Sequence, residues 1–286
     1  MGYKIAWHNP LPKEITSSYH PDFNDVVIPG MQKVADRVAR PDTEVVFNPF
    51  TRDAESPMNP YYKMACDDNM VENVIQAERA GYDASLIGCY YDPGLMEAKC
   101  ATDYPVAGVA QSAMLLTQML GRKFACMTLT DMAVPLLEQN VRLYGLEAWA
   151  THRPVRALKV EYPVMWSQLL KAYQGDPQPL IETFEEAAMV CVEDGADVIT
   201  TGCVWMGPAF TLAGYREVGN TGVQVVDSFA AGISMLEMML QLYQSIGVTR
   251  SHGDNSLYTT PDQATFLRHR TLLGIEPTDT RKLKVA

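Results

Sequence analysis

No stretch of this 286-residue chain approaches the roughly 18 consecutive apolar residues that suggest a membrane span. Residues 1–4, Met-Gly-Tyr-Lys, lead into a short apolar strand and not into a signal-peptide core, so a cytoplasmic location is expected. Basic runs are also missing. The net charge is −11, which opposes a nucleic-acid partner, because phosphate binding draws on clustered Lys and Arg. There is no CxxC pair, and His8, His20, His152, His252 and His269 form no HExxH or comparable spacing. No metal and no cofactor are expected. The six cysteines, at positions 66, 89, 100, 126, 191 and 203, follow no regular framework, and a chain of this size needs no disulfide staples.

What is present is an ordinary globular composition, 47% hydrophobic and 20% charged, over a length that suggests two lobes. Short apolar runs alternate with stretches of helical period, the pattern of parallel sheets with crossover helices, so the fold class is α/β. Strands are predicted at 3–7, 44–48, 84–88, 106–109, 123–128, 155–160, 198–201 and 223–226. Helices are predicted at 26–38, 70–80, 112–120, 133–144, 179–194 and 229–243, with 51–69 read as a long loop.

An internal repeat is the informative feature. Residues 81–89 read Gly-Tyr-Asp-Ala-Ser-Leu-Ile-Gly-Cys and residues 195–203 read Gly-Ala-Asp-Val-Ile-Thr-Thr-Gly-Cys, so both obey Gly-x-Asp-x-x-x-x-Gly-Cys. The first glycine ends a helix and the aspartate opens a buried strand. Gly-Cys then falls at the strand's carboxyl end, where open α/β sheets bind ligands. Cys89 follows the third of the first four strands and Cys203 the third of the last four. Two similar lobes related by a pseudo-twofold axis would turn both mouths toward one cleft.

Two facing cysteines can do chemistry that one cannot. Racemisation beside a carbonyl takes a proton from one face and delivers one to the other, and a thiolate–thiol pair flanking the carbon can exchange these roles. Thiols ionise close enough to neutrality for a helix N-terminus or nearby donors to matter. Both cysteines precede a Pro/Gly turn suited to opening a helix, whose N–H groups could hold an enolate-like intermediate. A lone cysteine at a strand end usually packs as a small hydrophobe. Duplication at equivalent positions argues for function in Cys89 and Cys203, whereas Cys66, Cys100, Cys126 and Cys191 lack that context.

These residues resemble the Asp/Glu/hydantoin racemase superfamily, over most of the chain. Cys89-Tyr90-Tyr91-Asp92-Pro93-Gly94-Leu95 is similar to the Cys-Phe-x-Asp-Pro-Gly-Leu stretch of hydantoin and allantoin racemases, and Gly202-Cys203-Val204-Trp205-Met206 is similar to their Gly-Cys-x-x-Met segment. Asn9-Pro10, Pro105-Val106-Ala107-Gly108 and Val226-Asp227 agree with the family in order and place. The resemblance implies two flavodoxin-like lobes, 1–110 with returning C-terminal helices 227–286 and 111–226, with the active site between them. It implies a homo-oligomer acting on a small molecule, with Cys89 and Cys203 as the proton-transfer pair. Asn9 is the first candidate to hold the substrate, with Asp92 and Thr128 next. Tyr90, Gly202 and Val204, beside the cysteines, complete the expected contacts, and Tyr91 and Trp205 are candidates to line the pocket.

Where amino-acid racemases of the superfamily carry polar pairs after each cysteine, this chain has Tyr90-Tyr91 and Val204-Trp205, which implies a more apolar, bulkier substrate. Leu11-Pro12 replaces the side-chain donors that relatives place after Asn-Pro. The chain also exceeds the usual hydantoin racemase length through 51–69 and the tail after Ser251. Three other readings stay open: a cis–trans isomerase that uses Cys89 as a nucleophile, a decarboxylase that needs only the second cysteine, and a two-lobed binding protein with packed thiols.

Overall fold

The computed structural model describes residues 2–11, 16, 18, 20–49, 59–253, 255–272, 274 and 275. Among the described residues, eight strands form two four-stranded sheets. β1 (Lys4–His8), β2 (Glu44–Phe47), β3 (Ala84–Ile87) and β4 (Val106–Gly108) take the order β2-β1-β3-β4. β5 (Phe124–Thr128), β6 (Ala150–Ala157), β7 (Val198–Thr201) and β8 (Gln224–Val226) take the same order, β6-β5-β7-β8. All pairings are parallel. The expected α/β class with two similar lobes is therefore the observed one.

Parallel sheets need cover on both faces. The first half supplies α1 (Phe23–Val38), α2 (Pro60–Arg79), α3 (Leu95–Ala101) and α4 (Val109–Leu120). The rest of the chain supplies α5 (Val134–Leu143), α6 (Tyr162–Tyr173), α7 (Gln178–Glu193), α8 (Met206–Ala213), α9 (Ser228–Ile246) and α10 (Gln263–Leu272). The two helices that follow the fourth strands change sides: α4 packs on β5 and β7, while α9 packs on β3 and β4 and against α4. Trp7, Phe47 and Phe229 of α9 form an aromatic cluster over the first sheet, with Trp7 and Phe47 centroids 4.8 Å apart.

Each fixed position of the repeat has a physical reason. Gly81 and Gly195 adopt φ of +84° and +89°, the left-handed turn that ends α2 and α7 and that side chains resist. Asp83 accepts a hydrogen bond from the Lys4 N–H at 2.7 Å, and Asp197 accepts from the Arg122 and Lys123 N–H groups at 2.9 and 3.1 Å. Each aspartate thus ties the start of a third strand to the strand beside it. A Cβ on Gly88 would sit 2.2 Å from the Trp7 indole, and one on Gly202 would sit 2.6 Å from Cys126 Sγ. Only glycine lets the chain pass there, and the next residue emerges at the sheet edge.

Two expectations need correction. Residues 60–69 are not loop but the first half of α2, whose Asn59 side chain accepts from the Tyr61 N–H at 2.9 Å ahead of Pro60 in the first turn. The weak amphipathicity of α2 hid it, and residues 51–58 of the expected loop lie outside the described residues. The sixth strand is Ala150–Ala157, earlier than the predicted 155–160, because Pro154 can sit in this edge strand. Among the described residues no helix is long and apolar enough to cross a membrane.

Candidate functional site

Between the carboxyl edges of the two sheets lies a cleft with about 580 Å³ of open space. Cys89 borders it from the end of β3 and Cys203 from the end of β7, both partly exposed. Gly88 and Gly202 hold these turns by donating to His8 O at 2.7 Å and Met127 O at 2.6 Å, which are equivalent places on β1 and β5. One residue further along those strands stand Asn9 and Thr128, both facing the cleft. Asn9 Oδ1 accepts from the Leu11 N–H at 3.1 Å, which leaves its amide N–H groups as donors. The Thr128 hydroxyl donates to Gly202 O at 3.4 Å, long enough to be exchanged for a better acceptor.

Tyr90, Gly202 and Val204 also line the cleft. The Tyr90 side chain crosses between the halves, its hydroxyl 2.6 Å from Thr200 Oγ1 of β7. Asn140 of α5 donates to Tyr91 O at 3.0 Å, so the loop carrying Cys89 is fastened to the second half. Tyr91 and Trp205 line the cleft, and Tyr173 of α6 donates to Trp205 O at 2.7 Å.

Asp92 is placed elsewhere. It is buried behind the cleft with φ of +45°, and its carboxylate accepts from Ala110 N–H, Gln111 N–H and Tyr144 Oη at 3.0, 2.7 and 2.7 Å. It therefore caps α4 and fixes the turn after Cys89, instead of touching a ligand or capping α3. Asp227 does the same for α9, accepting from Phe229 and Ala230 N–H groups and from the Thr211 hydroxyl. Burial pushes both carboxyls up to about 6, against the pull of those hydrogen bonds.

Sequence reasoning missed α6 and with it two wall residues, Tyr162 and Trp166. The signal was available: Pro163 opens the helix, and Met165, Trp166, Leu169 and Leu170 recur at helical spacing. Trp166 and Trp205 lie edge-on with centroids 5.4 Å apart, and Phe23 of α1 backs both. With Leu11 and Leu129 these rings make one side of the cleft apolar.

The two thiols differ. Burial pushes Cys203 up to about 11, opposed by the backbone N–H groups of Trp205 and Met206 at the start of α8. Burial raises Cys89 further, since only the Tyr91 N–H opposes it and Cys203 adds to the rise. A negative charge on one sulfur disfavours a second beside it, so one thiolate facing one thiol is the favoured charged state. The Trp205 and Met206 N–H groups favour the thiolate of Cys203 more than the single Tyr91 N–H favours that of Cys89. Among the described residues no group of three or more His, Cys, Asp or Glu side chains could hold a metal ion.

These features define a two-lobed α/β protein whose ligand cleft is flanked by a duplicated cysteine. The family model described as Asp/Glu/Hydantoin racemase matches residues 24–236, and the chain belongs to that family. It is an enzyme, an isomerase of the racemase type. A hydantoin racemase from Pseudomonas sp. (strain NS671) is 29% identical over 214 residues, 74% of this chain and 80% of that protein. One from Rhizobium meliloti is 33% identical over 172 residues, 60% and 66% of the two chains. The allantoin racemase from Klebsiella pneumoniae shares the fold, with a TM-score of 0.67 and 18% identity over 91% of this chain and 94% of that one.

Proposed function

We propose that this racemase inverts a carbon beside a carbonyl in a hydantoin-like substrate with an apolar substituent, by passing protons between Cys89 and Cys203 without a cofactor. The observation that carries this reading is that both cysteines of the repeat border one cleft from different sheets. The thiolate of one cysteine takes the proton, forming S–H as C–H breaks, and the electron pair moves onto the carbonyl as an enolate. The thiol of the other cysteine then gives its proton to the opposite face and is left as the thiolate. Roles reverse for the other enantiomer. Asn9 and Thr128 are the side-chain groups placed to hold the ring's polar atoms, and Tyr91, Tyr162, Trp166 and Trp205 form the wall for an apolar substituent. Asp92 acts as a positioning residue, through the turn that bears Cys89. The hydantoin racemase relatives support this substrate class.

The test is incubation of single-enantiomer 5-substituted hydantoins, allantoin and amino acids in deuterated water. Loss of optical rotation with one deuterium entering per inversion is expected, and Cys89→Ser or Cys203→Ser should each lower the rate by about 10²–10⁴. Unchanged turnover in both variants would sink the two-thiol step. Silence across the panel, with a covalent adduct trapped on Cys89, would favour a nucleophilic cis–trans isomerase instead.

A further inference from the structure

A second cavity, with about 660 Å³ of open space, shares no residue with the cleft. One wall comes from Tyr104, Val106 and Lys99, which follow the Cys89 loop; the other comes from Met239, Val248, Arg250 and Tyr258, beyond the last residue matched by the family model. The end of α9 and the tail after it therefore supply one wall of the hollow from residues outside the matched region. Its apolar surface is interrupted by two cations. Lys99 Nζ donates to Gln111 Oε1 at 2.7 Å and lies 5.6 Å from the centre of the Tyr258 ring; among the described residues no carboxylate is hydrogen-bonded to it, although the Asp92 carboxylate acts on it electrostatically. Arg250 donates from Nη2 to Asp103 Oδ1 at 3.2 Å and to Thr260 Oγ1 at 2.7 Å, and from Nε to Tyr258 O at 3.3 Å.

An ammonium has three donors, and a single neutral acceptor leaves this one under-satisfied in a half-buried place. Burial pushes Lys99 down, the Asp92 carboxylate opposes it, and the nearby Arg250 guanidinium adds to the fall. Arg250 is already paired with Asp103, so among the described residues Lys99 is the cation lining the hollow with no carboxylate hydrogen-bonded to it, and a single added carboxylate matches it. We propose that this cavity is a second ligand site, for a monocarboxylate with an apolar or aromatic body whose carboxylate bridges Lys99 and Arg250. Val106, Met239 and Val248 would take the apolar body, and Tyr258 would close over it. The Gln111 side chain that holds Lys99 belongs to a residue whose N–H is bound by Asp92, so a carboxylate here would sit close to the turn that bears Cys89.

Calorimetric titration of the full-length protein with 4-phenylbutyrate tests the idea, with 4-phenylbutyramide as the uncharged probe. The carboxylate is expected to bind one to one and the amide at least about tenfold more weakly, since a charge-assisted hydrogen bond is lost. Lys99→Met and, independently, Val248→Trp, which fills the hollow from a half-exposed position, should each weaken the carboxylate by at least about tenfold. Equal binding of acid and amide would overturn the proposal. So would undiminished binding to Val248→Trp, which places the probe elsewhere, including in the thiol-lined cleft; this variant decides the matter even if Lys99→Met fails to fold.

Discussion

At the scale of single residues, the unequal surroundings of Cys89 and Cys203 matter most. Burial favours the neutral thiol in both, so the thiolate population and the rate should grow with pH. With Cys203 near 11, kcat/KM is expected to climb by about tenfold per pH unit from 7 to 9 without levelling. A plateau already reached at pH 7 would contradict that. Iodoacetamide labelling followed by peptide mass spectrometry should modify Cys203 at least several-fold faster than Cys89, because the Trp205 and Met206 N–H groups favour its thiolate. The two cysteines stood out in the sequence because duplication marks them, Asn9 because Asn9-Pro10 is similar to the family's loop, and Thr128 because it ends a strand near the expected cleft. Asp92 was misplaced for a physical reason: its positive φ turns the carboxylate back toward α4, a helix that begins well beyond the turn. Nothing in a local pattern reports that direction.

At the scale of elements, helix caps do double service as buried acids. The fold favours the protonated form of Asp227, so its stabilising contribution is complete below about pH 3.8 and is lost as pH rises through about 6. Asp227→Asn keeps an oxygen for the Phe229 and Ala230 N–H groups and never ionises. It should stabilise the protein on the order of 2 kcal/mol at pH 7 and hardly at all at pH 4, measured by urea unfolding. A variant less stable at pH 7 would show that the ionised cap is worth more than its burial costs. The strands β3 and β7 could be read directly from their apolar runs, since parallel strands are covered on both faces. The first half of α2 could not, because it carries little apolar periodicity. For α6 the pattern was present but lay between a misplaced strand and a clearer helix.

At the scale of the whole molecule, the C-terminal segment is held to the first half by charge as well as by packing. Arg270 of α10 and Glu72 of α2 form a buried pair, with Nη2 to Oε2 at 2.9 Å and a second, shorter contact between Nη1 and Oε1. Removing one partner leaves a buried charge uncompensated, so Arg270→Met is expected to cost about 3 kcal/mol in urea unfolding. Glu72→Leu combined with Arg270→Met should recover most of it, whereas an equal loss in the double variant would show that packing alone is at stake. The duplication was visible in the sequence through the Gly-x-Asp-x-x-x-x-Gly-Cys spacing, and the α/β class through the alternation of short apolar runs with helical periods. The exchange of α4 and α9 between the sheets leaves no local pattern, because either helix could have packed on its own sheet; it was expected only from the family resemblance, which returns residues 227–286 to the first lobe and starts the second at 111.

That exchange has a consequence for turnover. Swinging the sheets apart would strip both interlocked arms from their seats at once and expose the apolar surface they cover. A wide clamshell opening is therefore closed to this molecule, and traffic into the reaction chamber must be gated by small rearrangements of the segments at its rim.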